Sequence, residues 1–111
     1  MENKITSKIR IHLFKGDKCF GPGICTLLEE VDKYGSLRKA AMDMSMSYSK
    51  AWKIVKQCEE SLGYKLLIST TGGKSGGGAL LTDEARRIME SYKQYCLDIE
   101  NYSAELLEKY F

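Results

Sequence analysis

The sequence predicts a mainly α chain with a small β-hairpin, an α+β fold closed by one long C-terminal helix. Three observations carry this. Apolar residues recur at helical spacing over most of the chain, a glycine-rich connector separates two short β-like runs near residues 65–81, and no helix breaker follows Asp83. With 111 residues, 43% hydrophobic and 29% charged, the composition is that of one globular domain. We divide it into a body over residues 1–82 and a linker or dimerisation helix over 83–111, as one structural unit.

Residues 7–14 alternate, with Ile9, Ile11 and Leu13 on one side, and are expected as a half-buried strand followed by a turn over 15–18. A first helix is expected from about Gly21 to Tyr34, with Pro22 near its start, where a missing amide proton costs least, and Gly35 as its stop. Its core stripe is Ile24, Leu27, Leu28 and Val31. Ser36 caps a short second helix over Leu37 to Asp43, with Ala40 and Ala41 small enough for close approach by another helix. Ser47 caps a third over Tyr48 to Ser61, stopped by Gly63, with Ala51, Ile54, Val55, Cys58 and Leu62 inward.

Runs at 65–69 and 79–81 flank Thr70–Gly78, which holds five glycines in nine residues and reads as a hairpin with a long tip. Thr82 caps the last helix, with Asp83 and Glu84 favoured in its first turn by the helix dipole. At about 1.5 Å per residue this helix is roughly 40 Å long, more than so small a body can cover. Ile88, Tyr92, Tyr95, Ile99, Tyr102 and Leu106 repeat at alternating steps of four and three, a coiled-coil-like seam. From about Cys96 onward the helix is expected to lack a partner in its own chain, so a second copy is the simplest one.

Charge is unevenly spread. Residues 1–82 hold 13 Lys/Arg and 8 Asp/Glu, a net +5, while residues 83–111 hold 4 and 7, a net −3. A basic body points to a polyanion. No apolar run approaches the roughly 18 residues of a spanning helix, the start does not read as a secretory signal, and a cytoplasmic protein without a membrane partner is expected. Cys19, Cys25, Cys58 and Cys96 form no CxxC pair and His12 is the only histidine, so neither a metal nor another cofactor is expected.

No Ser-His-Asp set or carboxylate pair suggests an enzyme. Gly73-Lys74-Ser75 looks like part of a phosphate loop, but the glycine required five positions earlier is Ile68.

The order strand, helix, helix, tight turn, helix, hairpin, helix is that of a winged helix-turn-helix. The third helix would enter the DNA major groove with Ser47, Tyr48, Ser49, Lys50 and Lys53 at its leading end. A solvated lysine face with a serine cap is the plain alternative. Ser36 and Arg38 on the preceding helix are candidate phosphate contacts. Trp52 borders the core face and is expected to be a half-buried packing residue.

Three stretches, 35–41 (GSLRKAA), 46–52 (MSYSKAW) and 70–82 (TTGGKSGGGALLT), closely resemble the N-terminal domain of ModE-type molybdate-responsive regulators and, more broadly, the winged helix-turn-helix of LysR-type regulators. The resemblance covers about residues 5–95. It implies a homodimer joined through the terminal helix, binding an inverted repeat in double-stranded DNA to regulate transcription. It also implies base reading by Ser47, Tyr48, Ser49, Lys50 and Lys53, and wing contacts from Thr71, Lys74 and Ser75. Molybdate regulators carry C-terminal oxyanion-binding domains that this sequence does not contain, so DNA binding is expected to transfer without molybdate sensing. Two other readings stay open: a protein-interaction adaptor working through the terminal helix, and a redox-responsive regulator using Cys19 and Cys25.

Overall fold

The computed structural model describes residues 3–70 and 78–111. Its elements run β1 (Leu13–Lys15), β2 (Asp17–Phe20), α1 (Pro22–Tyr34), α2 (Leu37–Asp43), α3 (Tyr48–Leu62), β3 (Leu67–Thr70), β4 (Gly78–Leu81) and α4 (Asp83–Tyr110). The expected winged helix-turn-helix with a long terminal helix is what forms.

Each helix end has the chemistry that sets it. Ser36, Ser47 and Thr82 accept hydrogen bonds from the backbone N–H of Lys39, Lys50 and Ala85 at 3.2, 3.1 and 3.0 Å. These bonds satisfy donors that a helix start otherwise leaves free. Gly35 and Gly63 close α1 and α3 at φ of 65° and 85°, a region costly for residues with a Cβ.

The N-terminal region departs from expectation. In place of one strand over 7–14 there is a short antiparallel hairpin, with Leu13 opposite Phe20 and Lys15 opposite Asp17. Gly16, at φ 77°, lets the chain reverse in a single residue, so the stretch expected as a turn supplies the second strand. This hairpin carries Cys19 and Phe20 into the core. Phe20 is fully buried, and its ring meets Tyr92 of α4 edge to face at 5.2 Å between centroids.

The core collects the predicted stripes: Ile24, Leu27, Leu28 and Val31 from α1, Leu37, Ala40 and Ala41 from α2, and Ala51, Val55, Cys58 and Leu62 from α3. Leu66, Ala79, Leu81, Ala85 and Met89 close it. β3 and β4 pair antiparallel with Leu67 opposite Leu81 and Thr70 opposite Gly78.

Helix α4 projects beyond this core. The molecule measures 57 × 34 × 21 Å with a radius of gyration of 17.0 Å, against about 13 Å for a compact domain of this length. The far half of α4 was expected to have no partner in its own chain. The extended N-terminal segment instead runs antiparallel along it. The Tyr92 hydroxyl donates to the Ile11 carbonyl at 2.7 Å, Ser7 and Ser103 share a hydroxyl hydrogen bond at 3.1 Å, and Lys4 faces Glu108 at 3.9 Å. An extended segment leaves no seam visible to helix periodicity, which is why sequence reasoning overlooked this cover.

Candidate nucleic-acid interface

The inward stripe of α3 fixes what its other faces present. With Ala51, Val55, Cys58 and Leu62 buried, Ser49, Lys50 and Lys53 point outward, and Ser47, Tyr48, Ser49, Lys50 and Lys53 are all exposed. Lys50 and Lys53 form no ion pair among the described residues. Their charges are therefore open to a polyanion. Ser47 accepts the cap bond through its oxygen, which leaves its hydroxyl hydrogen to donate.

The turn between α2 and α3 spans Met44 to Ser47. The Met46 N–H donates to the Ala41 carbonyl at 2.9 Å, and Ser45 takes φ 55°. Ala40, Ala41 and Ala51 are buried almost completely, so the two helices approach on small side chains. This packing holds α3 forward of the body.

The base of the wing is fastened to the same unit. The Ala79 N–H donates to the Gly35 carbonyl at 2.9 Å, so the residue that ends α1 also anchors β4. A Cβ on Gly78 would lie 2.8 Å from that carbonyl oxygen and 2.6 Å from Thr70 Oγ1, which makes a glycine necessary at this approach. Of the candidate wing contacts, Thr71, Lys74 and Ser75 lie outside the described residues.

Glu59 is a residue whose role sequence reasoning missed. It is 7% exposed, and its carboxylate accepts the backbone N–H groups of Leu66 and Leu67 at 2.7 and 3.3 Å and pairs with Lys56 at 3.2 Å. It ties the end of α3 to the start of the wing. Its neighbours Cys58 and Leu62 on the inward stripe are the signal of burial that the sequence carries.

Between α2, the flank of α3 and the wing base lies a cleft of about 570 Å³. Its lining includes Arg38, Lys39, Tyr48, Trp52, Lys56 and Glu59. Arg38 lies over the Tyr48 ring at 4.3 Å and Lys56 over the Trp52 ring at 5.5 Å. Such pairs hold a cation in place while leaving it accessible. Trp52 was expected to pack half-buried on the core. It is 47% exposed, so about half of it is buried as expected, and its open side lines the cleft. Ser36 also lines the cleft, with its side-chain oxygen engaged by the Lys39 N–H.

Two of the cysteines, Cys25 and Cys58, are disfavoured as thiolates. Cys19, Cys25 and Cys58 are buried. Burial, reinforced by nearby Glu29, pushes the Cys25 thiol up. Burial, with Cys19 beside it, pushes Cys58 up to about 11. A thiol is reactive as thiolate, so these surroundings disfavour a redox role for Cys25 and Cys58. Among the described residues no three His, Cys, Asp or Glu side chains are grouped to hold a metal ion, and no helix is long and apolar enough to cross a membrane.

Of the seam residues, Tyr92 is buried in its own chain and Ile88 packs partly against the core. Tyr95 and Tyr102 are 50% and 61% exposed, and Ile99 and Leu106 are half-buried.

Comparison with known proteins agrees with this architecture. Residues 25–86 match the bacterial regulatory helix-turn-helix protein family of lysR type. The molybdenum transport protein ModE of Azotobacter vinelandii is 37% identical over 78 residues, covering 70% of this chain and 28% of that protein. The transcriptional regulator ModE of Haemophilus influenzae is 34% identical over 88 residues, covering 79% of this chain and 32% of its own length. The DNA-binding transcriptional dual regulator ModE of Escherichia coli K12 is 32% identical over 88 residues with the same coverage. The chain thus spans about a third of the length of these relatives. With the matched region running from α1 into α4, the chain belongs to the lysR family of bacterial regulatory helix-turn-helix proteins, and its helix-turn-helix is of the ModE type.

Proposed function

We propose that this chain is a sequence-specific, double-stranded DNA-binding transcriptional regulator acting as a homodimer on an inverted repeat. The observation that carries the reading is the outward row of Ser49, Lys50 and Lys53, exposed and, for the two lysines, without carboxylate partners among the described residues, on a helix packed against α2 and β2 and tied to the wing base by Glu59. Lys50 and Lys53, three residues apart, share a face and reach guanine edges or phosphates together. Ser47, Tyr48 and Ser49 lead the helix into the groove, with Arg38 on the adjoining backbone. The seam on α4 joins two copies through Tyr95, Ile99, Tyr102 and Leu106, and half-sites are then spaced by about one helical turn or a multiple of it.

We assign the chain no catalytic role. Selecting bound duplexes from random DNA supplies the target. Lys50→Glu combined with Lys53→Glu should abolish retention of that duplex in a gel shift while sedimentation shows the assembly unchanged. Affinity of the unaltered protein should fall steeply with salt, because phosphate contacts release counterions. Undiminished retention by the double variant overturns the proposal and favours an adaptor that works through the exposed aromatic residues of α4.

A further inference from the structure

Beyond the outward lysine row, we infer that the cleft on the flank of α3 is a second DNA subsite, in which Trp52 and Lys56, together with Arg38 on Tyr48, cradle the sugar–phosphate backbone of one strand. The inference rests on the DNA-binding reading above and adds two residues to it, one of which sequence reasoning had assigned to packing.

The geometry follows from the size of the groove. An α-helix with its side chains is about 10–12 Å across, and the major groove of B-DNA is about 12 Å wide. A helix whose Lys53 faces the groove floor, with Lys50 about 60° to one side of it and the Trp52 stripe on the other, therefore fills it, and its flanks meet the walls, which are sugar and phosphate. Trp52 lies about 100° round the helix axis from Lys53. Tyr48, Trp52 and Lys56, at successive steps of four, form one flank stripe. That stripe opens into the cleft beside the wing base.

The chemistry there suits a backbone strand. Arg38, Lys39 and Lys56 supply three cations, and Arg38 and Lys56 are already held against aromatic faces at 4.3 and 5.5 Å. Glu59 is the opposing charge in the cleft. Its carboxylate is engaged by the Leu66 and Leu67 N–H groups as well as by Lys56. The indole of Trp52, 47% exposed, offers a flat apolar face that a deoxyribose can cover while phosphates on either side meet Lys56 and Arg38. Tyr48 is 40% exposed on the same stripe.

Trp52 is the only tryptophan in the chain, so its emission reports this site alone. The duplex recovered by selection is titrated into the unaltered protein, with binding followed by anisotropy of the labelled DNA and Trp52 followed by emission and acrylamide quenching. The expected result is a change in emission and a loss of acrylamide access that saturate together with the anisotropy. Trp52→Ala should weaken binding about tenfold, the scale of one desolvated cation–aromatic contact, and Trp52→Phe should recover most of it. Lys56→Gln should lower the salt slope of binding by about one, restored by Lys56→Arg, a readout that a purely structural role would not move. Saturated anisotropy with unchanged Trp52 emission and quenching overturns the subsite and leaves the outward row in place. Failure to retain any duplex overturns the DNA reading itself, and the two failures are separately visible.

Discussion

Helices α3 and α4 bury one stripe each, yet they are held in opposite ways. The 15 residues of α3 are fixed at both ends, by the Ser47 cap and by Gly63, and Glu59 fastens the helix to the wing. Its free face is cationic at the leading end. The 28 residues of α4 are capped by Thr82 and anchored as far as Cys96, with Lys93 paired to Glu29 of α1 at 2.7 Å, and farther along Ser103 and Glu108 meet the N-terminal segment. Its charge is acidic overall, and the large apolar or aromatic side chains of Tyr95, Leu97, Tyr102 and Tyr110 are exposed along it. The rigid helix suits a charged ligand of fixed geometry, because a prepositioned contact loses little freedom on binding. The projecting one suits an apolar partner of its own kind.

The comparison is broken most severely at the seam. Ile99→Asp places a charge where the proposed dimer buries an apolar side chain, and sedimentation should shift toward monomer while the isolated fold stays intact. An unchanged dimer would show that α4 is not the joining surface.

A smaller effect is expected at the fastening of α3. Glu59→Ala strands two backbone N–H groups and the Lys56 ammonium, and should cost about 1.5–3 kcal/mol in urea unfolding. Glu59→Gln keeps an acceptor and should cost less. A loss inside about 0.5 kcal/mol would place Glu59 among ordinary surface residues.

The smallest effect concerns the anchored half of α4. Arg86 donates two hydrogen bonds to Asp32 of α1, at 2.8 and 3.3 Å, and these hold the Asp32 carboxyl below its usual range. A depressed carboxyl stabilises the fold above its unfolded value and loses that contribution as pH falls through the folded one, below about pH 4. Both side chains are about half exposed, so the contribution is slight and screened by salt. Urea midpoints of the unaltered protein and Arg86→Gln should therefore differ slightly at neutral pH and converge in acid. A difference that persists in acid would assign the effect of Arg86 to packing.

The helical part of the fold was legible because its signals are local. Ser36, Ser47 and Thr82 sit where an N-cap must, Gly35 and Gly63 sit where left-handed backbone is needed, and the apolar stripes between them have helical period. The N-terminal hairpin was hidden because one glycine, Gly16, makes a turn shorter than the four-residue pattern that was read there. Within the site, the outward position of Lys50 and Lys53 followed from the stripe opposite them. The cleft did not, since its walls come from α2, α3 and the wing, which only folding brings side by side.

The order of residues by itself thus determined the family, the helix ends and the sign of the charge on the leading face of α3, because caps, periodicity and composition act within a few residues. Tertiary structure alone decided that Glu59 would be buried beneath the wing, that the open side of Trp52 would line a cleft, and that the N-terminal segment would lie along α4. Each of those outcomes depends on groups far apart in sequence competing for the same space, and the physical terms that settle them, desolvation and packing, exist only once the elements have met.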